Sequence, residues 1–188
     1  MQSFKKNAMG SKRMFEIAFV GLKPGIHEFN YELDAEFFKE KTGENIDEIV
    51  ANVKLTLDKN NGFMILKFIV GGNAAVNCDR CGNPLKVDLW DEFNMVVKLT
   101  EDPQKANDEE EDADVFYIAK SESHIEVSDW LYEFAMLSIP MQHVCGTDAN
   151  GQSLCNNEVL EKLAAMQVKV DEQRGNSIWK GLERFKDN

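Results

Sequence analysis

The sequence predicts an α+β fold: a curved antiparallel sheet, barrel-like in that it closes partly on itself, with helices packed on one face or end. Three observations predict it. Residues 26–33, 49–57 and 85–99 alternate apolar and polar side chains with a period of two, the mark of half-buried strands. A turn sequence, Asp58-Lys59-Asn60-Asn61-Gly62, joins the second of these to the apolar run 63–70 as a hairpin. Helical spacing is confined to short segments, above all 129–138 and 157–166.

Taken in order, Met14 to Val20 is apolar enough for a first strand, and Gly21-Leu22-Lys23-Pro24-Gly25 is a turn by its glycines and proline. From Ile26 to Leu33 one face carries His27, Phe29, Tyr31 and Leu33, and the other Ile26, Glu28, Asn30 and Glu32. Asp34 is placed to cap a short helix, AEFFKEKTG, that stops at Gly43. Ile49, Ala51, Val53, Leu55 and Leu57 then share one face of a strand. The run from Phe63 to Val70 is apolar on both faces apart from Lys67, which places it centrally in the sheet. Gly71-Gly72 marks a bulge or bend. Leu85, Val87, Leu89, Phe93, Met95, Val97 and Leu99 line one face of a long strand, interrupted only by Asp91. VFYIA (115–119) and Ile125 to Val127 are short strands. Ser128 or Asp129 caps a helix whose Trp130, Leu131, Phe134 and Leu137 form a stripe, and Pro140 ends it. In the last helix Val159, Leu160, Leu163 and Met166 form the stripe.

The chain of 188 residues divides into a basic arm without fixed structure (1–13), one α+β domain (14–166), and a tail (167–188) with a short amphipathic segment. Trp179, Leu182 and Phe185 of that segment read as docking on the domain's own core, or as a helix offered to a partner groove. The net charge of −12 is concentrated in an acidic loop, 101–114, with eight acids and one lysine. Its plain reading is a solvated loop, although such a surface also repels phosphate and attracts basic proteins. No apolar run is long enough to span a membrane, and the N-terminal residues lack the apolar stretch of a secretory signal, so a cytoplasmic location is expected.

Chemistry concentrates in the cysteines. Cys78 and Cys81 have the spacing of half a zinc site, and Cys145 and Cys155 would complete a set of four, with His143 in reserve. Nine residues separate Cys145 from Cys155, where two to four are usual, so reduced structural thiols, a disulfide or a redox role stay open beside zinc. A thioredoxin-like dithiol should open a helix, but Asn83-Pro84 and a long strand follow here. His27, His124 and His143 stand in unrelated contexts, and no nucleophile elbow or phosphate-cradling glycine loop occurs, so nothing argues for an enzyme.

The order of these motifs resembles the YceD family, the large ribosomal RNA subunit accumulation proteins. An LKPG turn is followed by a hairpin, by CDRC (Cys78, Asp79, Arg80, Cys81) opening a strand, and by an acidic insertion. A helix with Glu133 and Pro140 in EFAMLSIP, a cysteine region, and Trp179 with Leu182 complete the order. The resemblance covers roughly residues 14 to 185 and implies a non-enzymatic role in accumulation of large-subunit ribosomal RNA. It implies a ribosomal protein or a large-subunit precursor as partner. Members often carry a second CxxC-like cluster, from which GTDANGQSLC departs. Asp79 and Arg80 also have a local role open to them, capping the turn, and Glu133 one as a solvated residue or a partner of Arg80. Direct RNA contact through the basic arm and Lys169, Arg174, Lys180, Arg184 and Lys186 should be weak, because Asp171, Glu172, Glu183 and Asp187 nearly cancel the tail's charge. The alternative is a zinc-binding or redox-linked cysteine module whose ribosomal connection is indirect.

Overall fold

The computed structural model describes residues 14–42 and 49–174, with the backbone alone at 42 and 168–174. The expected arm 1–13, the helix stop at Gly43 and the segment holding Trp179, Leu182 and Phe185 lie outside the described residues. The chain forms two compact units, Met1–Ala75 with Lys86–Pro140, and Val76–Leu85 with Met141–Asn188.

In the larger unit the strands are β1 (Glu16–Ile17), β2 (Gly25–Leu33), β3 (Ile49–Lys59), β4 (Phe63–Asn77), β5 (Pro84–Thr100), β6 (Val115–Ala119) and β7 (Ile125–Glu126), of which β4 ends and β5 begins in the smaller unit. Helix α1 spans Ala35–Thr42, α2 Pro103–Glu109 and α3 Ser128–Leu137. The main sheet has the order β2-β3-β4-β5-β6. β2 and β3 run antiparallel in unbroken register from Gly25↔Lys59 to Leu33↔Ala51, and β3 and β4 from Ile49↔Ala74 to Lys59↔Met64. The hairpin between them turns at Asn60-Asn61-Gly62, where Gly62 takes φ +88° and Asn60 N–H donates to Phe63 O at 3.0 Å. β4 is central, as its two-sided apolar run predicts.

Three expectations need correction. The fold is α+β, but the sheet is open rather than barrel-like: β2 and β6 are its edges, and β6 is only five residues long. The sheet is mixed, not wholly antiparallel, since β6 runs parallel to β5 (Val96↔Val115 to Thr100↔Ala119). A parallel neighbour needs a crossover, and the acidic run supplies it. Exposed as it is, that run is also ordered: Asp102 accepts from Lys105 N–H at 3.2 Å to cap α2, and Asn107 exchanges two hydrogen bonds with the Tyr117 backbone at 2.8 and 2.9 Å. Tyr117 Oη donates to Glu110, and this bond leads the causes that hold the Glu110 carboxyl below its ordinary value. Thirdly, Gly71-Gly72 is no bulge, because pairing continues through Asn52↔Gly71 and Ala51↔Gly72. Gly72 has φ +146° and lies so close to β3 that a Cβ there would overlap the Val50 carbonyl.

The first strand is shorter than expected. Only Glu16 and Ile17 pair, with Glu126 and Ile125 of β7, before Phe19–Gly21 forms a 3₁₀ turn. The ammonium of Lys59 donates to the carbonyls of Phe19 at 2.7 Å and Leu22 at 2.8 Å. Oxygens that would otherwise need a strand partner are satisfied there.

The core lies between the sheet and its helices. Leu33, Val53, Leu55, Leu57, Leu66, Phe68, Val70 and Val97 are buried from the sheet, and Leu131, Phe134 and Ala135 from α3. Phe134 stacks on Phe93 (4.4 Å between centroids) and meets Phe68 edge-on (4.9 Å). Phe38 of α1 approaches Tyr132 at 6.0 Å. α1 is capped by Asp34, which accepts from Phe37 N–H at 3.2 Å. α3 is not capped by Ser128 or Asp129; it begins at Ser128, whose N–H donates to the Glu126 carboxylate at 2.9 Å. No described helix is long and apolar enough to cross a membrane.

The smaller unit contains the β4–β5 turn, an irregular hairpin and α4 (Asn157–Arg174). That helix runs well past Met166, into a stretch with no apolar pattern to announce it.

Candidate metal centre

The first half of the site grows from the end of β4. Cys78 N–H donates to Asn83 O and Gly82 N–H to Cys78 O, both at 2.8 Å, closing a tight turn around Asp79-Arg80-Cys81. Gly82, at φ +73°, takes the left-handed conformation that a side chain would resist. The turn also brings the backbone N–H groups of Arg80 and Cys81 near enough to Cys78 Sγ to favour its thiolate.

The second half resolves the irregular spacing of Cys145 and Cys155. Between them Thr147 bridges Ser153, Asp148 N–H donates to Gln152 O at 2.8 Å, and Leu154 N–H to Gly146 O at 3.0 Å. The Asp148 carboxylate accepts from Asn150 and Gln152 N–H at 2.9 and 2.8 Å, and Gly151 supplies φ +79° at the tip. A loop of nine residues is thereby folded into a miniature hairpin with the two cysteines at its base. Asn156 follows and caps α4 by accepting from Glu158 N–H at 3.0 Å.

All four sulfurs converge. Cys78, Cys81, Cys145 and Cys155 place their Sγ atoms within 4.8 Å of one another, with Cys78 to Cys155 at 3.9 Å and Cys81 to Cys145 at 3.7 Å. A zinc–thiolate tetrahedron with Zn–S bonds of about 2.3 Å has edges of about 3.8 Å. The four thiols are free, and three of them are buried. Leu85, Val159 and Leu160 pack against them. This donor set fits zinc: four soft ligands, two sulfur–sulfur edges at the tetrahedral length with the rest within 4.8 Å, and three of the four thiols buried.

The electrostatics of the cluster are uneven. Burial pushes the Cys78 thiol up, but hydrogen bonds from the N–H groups of Cys145 (3.4 Å to Sγ), Arg80 and Cys81 outweigh it and hold Cys78 below its ordinary value. Burial, then its contacts with the other three thiols, pushes Cys145 up. N–H donors of this kind would stabilise a bound tetrathiolate, whose charge is otherwise unshielded.

Asp79 has a role that its motif alone does not disclose. Its N–H donates to His143 O and its carboxylate accepts from His143 N–H, both at 2.7 Å. The His143 ring Nδ1 lies 3.5 Å from the same carboxylate, while Nε2 is buried without a partner among the described residues. His143 is therefore a clasp between the turn and the segment leading to Cys145, not a member of the sulfur set. Sequence reasoning held it as a spare ligand; an acid inside a CxxC and a histidine two residues before a third cysteine were the available signal.

Arg80 is exposed and makes no ion pair among the described residues. Glu133 is an exposed residue of α3, and Pro140 follows the end of that helix at Leu137. Four of the eight residues singled out in the sequence thus meet at the cluster, Asp79 clasps it, and Arg80 stands beside it in the turn.

Residues 66–186 match the family model described as large ribosomal RNA subunit accumulation protein YceD. The chain belongs to the YceD family. The matched region takes in CDRC, Glu133, Pro140 and both later cysteines, so the YceD match spans the whole of the sulfur cluster. No curated protein and no solved structure matches the chain.

Proposed function

We propose that the protein is a non-enzymatic cytoplasmic factor in the accumulation of large-subunit ribosomal RNA, acting by binding a ribosomal protein or a large-subunit precursor. Membership of the YceD family is the observation that carries this reading. The charge layout supports a protein partner: the acidic crossover 101–114 disfavours phosphate and attracts basic segments, of which ribosomal proteins are rich sources. Direct RNA contact is the weaker component. Sedimentation of the tagged protein from lysate on a sucrose gradient tests the reading. Co-migration with large-subunit precursors at low salt is expected; confinement to the free-protein fractions would overturn it.

A second reading concerns the cysteines themselves. Zinc held by Cys78, Cys81, Cys145 and Cys155 is favoured by their convergence within 4.8 Å. Metal analysis of freshly purified protein should return about one zinc per chain, lost with Cys78→Ser. A zinc-free protein with four titratable thiols would remove this reading and leave the family role standing. If Cys78→Ser loses zinc yet still sediments with precursors, the cysteine module is not what recognises the partner.

A further inference from the structure

We infer that the smaller unit is a metal-dependent folding unit: it holds its fold only with its four cysteines ligated, while the larger unit keeps its fold without metal. The inference rests on the zinc reading above and goes beyond it to what the ion controls. Its ground is the contrast between the two interiors. The larger unit buries Phe38, Phe68, Leu33, Leu55, Leu57, Leu66 and Leu131 almost completely. In the smaller unit the buried cluster among the described residues consists of Cys78, Cys81 and Cys155, with Cys145, Leu85, Val159 and Leu160 packed around it. Of its other apolar side chains among the described residues, Met141, Val144, Leu154, Leu163 and Met166 face water, Met141 at 97% exposure.

A handful of aliphatic groups does not offset the conformational entropy of ordering two separate stretches of chain. Secondary structure does not make up the difference. The hairpin 145–155 has a single bridge, and among the described side chains of α4 it is Val159 and Leu160 of the first turn that pack on the cluster. Helices in proteins draw most of their stability from packing an apolar face, which α4 does only at its first turn among the described side chains. Remove the ion, and four sulfurs are left sharing weak S–H contacts. Ligation is what converts this cluster from a poor core into a strong one, because metal binding to a site absent from the unfolded chain is folding free energy.

Hydrogen exchange of the full-length chain, read by mass spectrometry, tests this. Three samples are compared: protein as purified with its zinc content measured, protein treated with a chelator under reducing conditions, and the same protein after zinc is restored. With free zinc about 1,000-fold above its Kd, ligation should suppress opening of the unit by about 1,000-fold. Amides of 78–83, 145–155 and 157–167 should therefore lose protection on chelation and regain it with zinc. Amides of β3, of β4 up to Ala74 and of α3 should keep theirs throughout. Removal of measured zinc without loss of protection in the smaller unit would overturn the inference and leave the zinc reading intact. Protection in a chain that neither contains nor takes up zinc would overturn both. Loss of protection in both units together would overturn the independence of the larger one.

Discussion

Asp79 offers the sharpest test of how the metal centre is assembled. Replacing it with alanine removes the carboxylate that accepts His143 N–H at 2.7 Å and lies 3.5 Å from the ring Nδ1, while leaving all four sulfurs in place. A hydrogen bond to a charged group contributes about 1.5–3 kcal/mol, and a carboxylate 52% exposed belongs at the lower end. The backbone bond from Asp79 N–H to His143 O survives the change, so about 1.5 kcal/mol is the expected loss. Because the clasp holds the segment that delivers Cys145, that loss should reach zinc binding as roughly a tenfold weaker Kd. Competition against a chromophoric chelator, at fixed pH under reducing conditions, measures it. Asp79→Asn retains one acceptor oxygen and should fall between native and Asp79→Ala. An Asp79→Ala protein that binds zinc as tightly as the native chain would refute the role of the clasp. So would a loss of a thousandfold or more, which would mean that the carboxylate acts at the metal itself.

Four other perturbations probe the scaffold. Phe134→Ala vacates the space between Phe93 and Phe68 and should cost about 3–5 kcal/mol, read as a lower urea midpoint. Gly72→Ala should destabilise by about 1–3 kcal/mol through its positive φ and the Val50 carbonyl, whereas Gly71→Ala, with open space at its Cβ, should be far milder. Equal effects at the two positions would contradict the close approach of β3 and β4. Lys59→Met strands the Leu22 carbonyl and leaves Phe19 O with its bond from Leu22 N–H alone, and should cost about 1–2 kcal/mol in thermal unfolding. Burial, with the nearby Glu126 charge second, pushes the Tyr31 phenol up to about 12. A raised folded value means that its contribution is complete below pH 10 and is lost as pH climbs toward 12, by about 2–3 kcal/mol. Tyr31→Phe should flatten that part of the stability curve, measured as urea midpoints at pH 9 and 11.5.

The sheet was legible where burial wrote itself into alternation. Ile49 to Leu57 and Leu85 to Leu99 put every second residue on the core face, and the two-sided apolar run 63–70 marked the central strand. Orientation was not legible for β6, since five residues of VFYIA pair equally well in either direction. The parallel strand is held to its crossover by the Asn107–Tyr117 exchange, within an acidic stretch whose composition resembles solvated linker. The extent of β1 was hidden for a similar reason: Lys59, forty residues away, takes the carbonyls that a longer strand would have used.

At the centre itself the residue types were readable and their assembly only half so. Cys78 and Cys81 announced a knuckle through spacing alone. Cys145 and Cys155 did not, because their approach depends on Asp148 and Gly151 shaping a turn, and those residues are common in loops of every kind. The Asp79–His143 clasp joins positions 64 apart in sequence, a distance over which local pattern carries no information.

The small hairpin between Cys145 and Cys155 has one more consequence, for how such centres vary over evolutionary time. Its base carries the two sulfurs, while its tip at Asn150-Gly151 lies beyond the Thr147–Ser153 bridge. An insertion between Asn150 and Gly151 that still closes the turn above the bridged base should therefore leave the ligand geometry in place, so zinc does not dictate the interval between these cysteines. Pattern searches that demand a fixed interval will pass over chains built this way. A convergence of sulfurs in three dimensions is the better query, and the tip is the natural place to graft an epitope or a fluorophore beside an undisturbed centre.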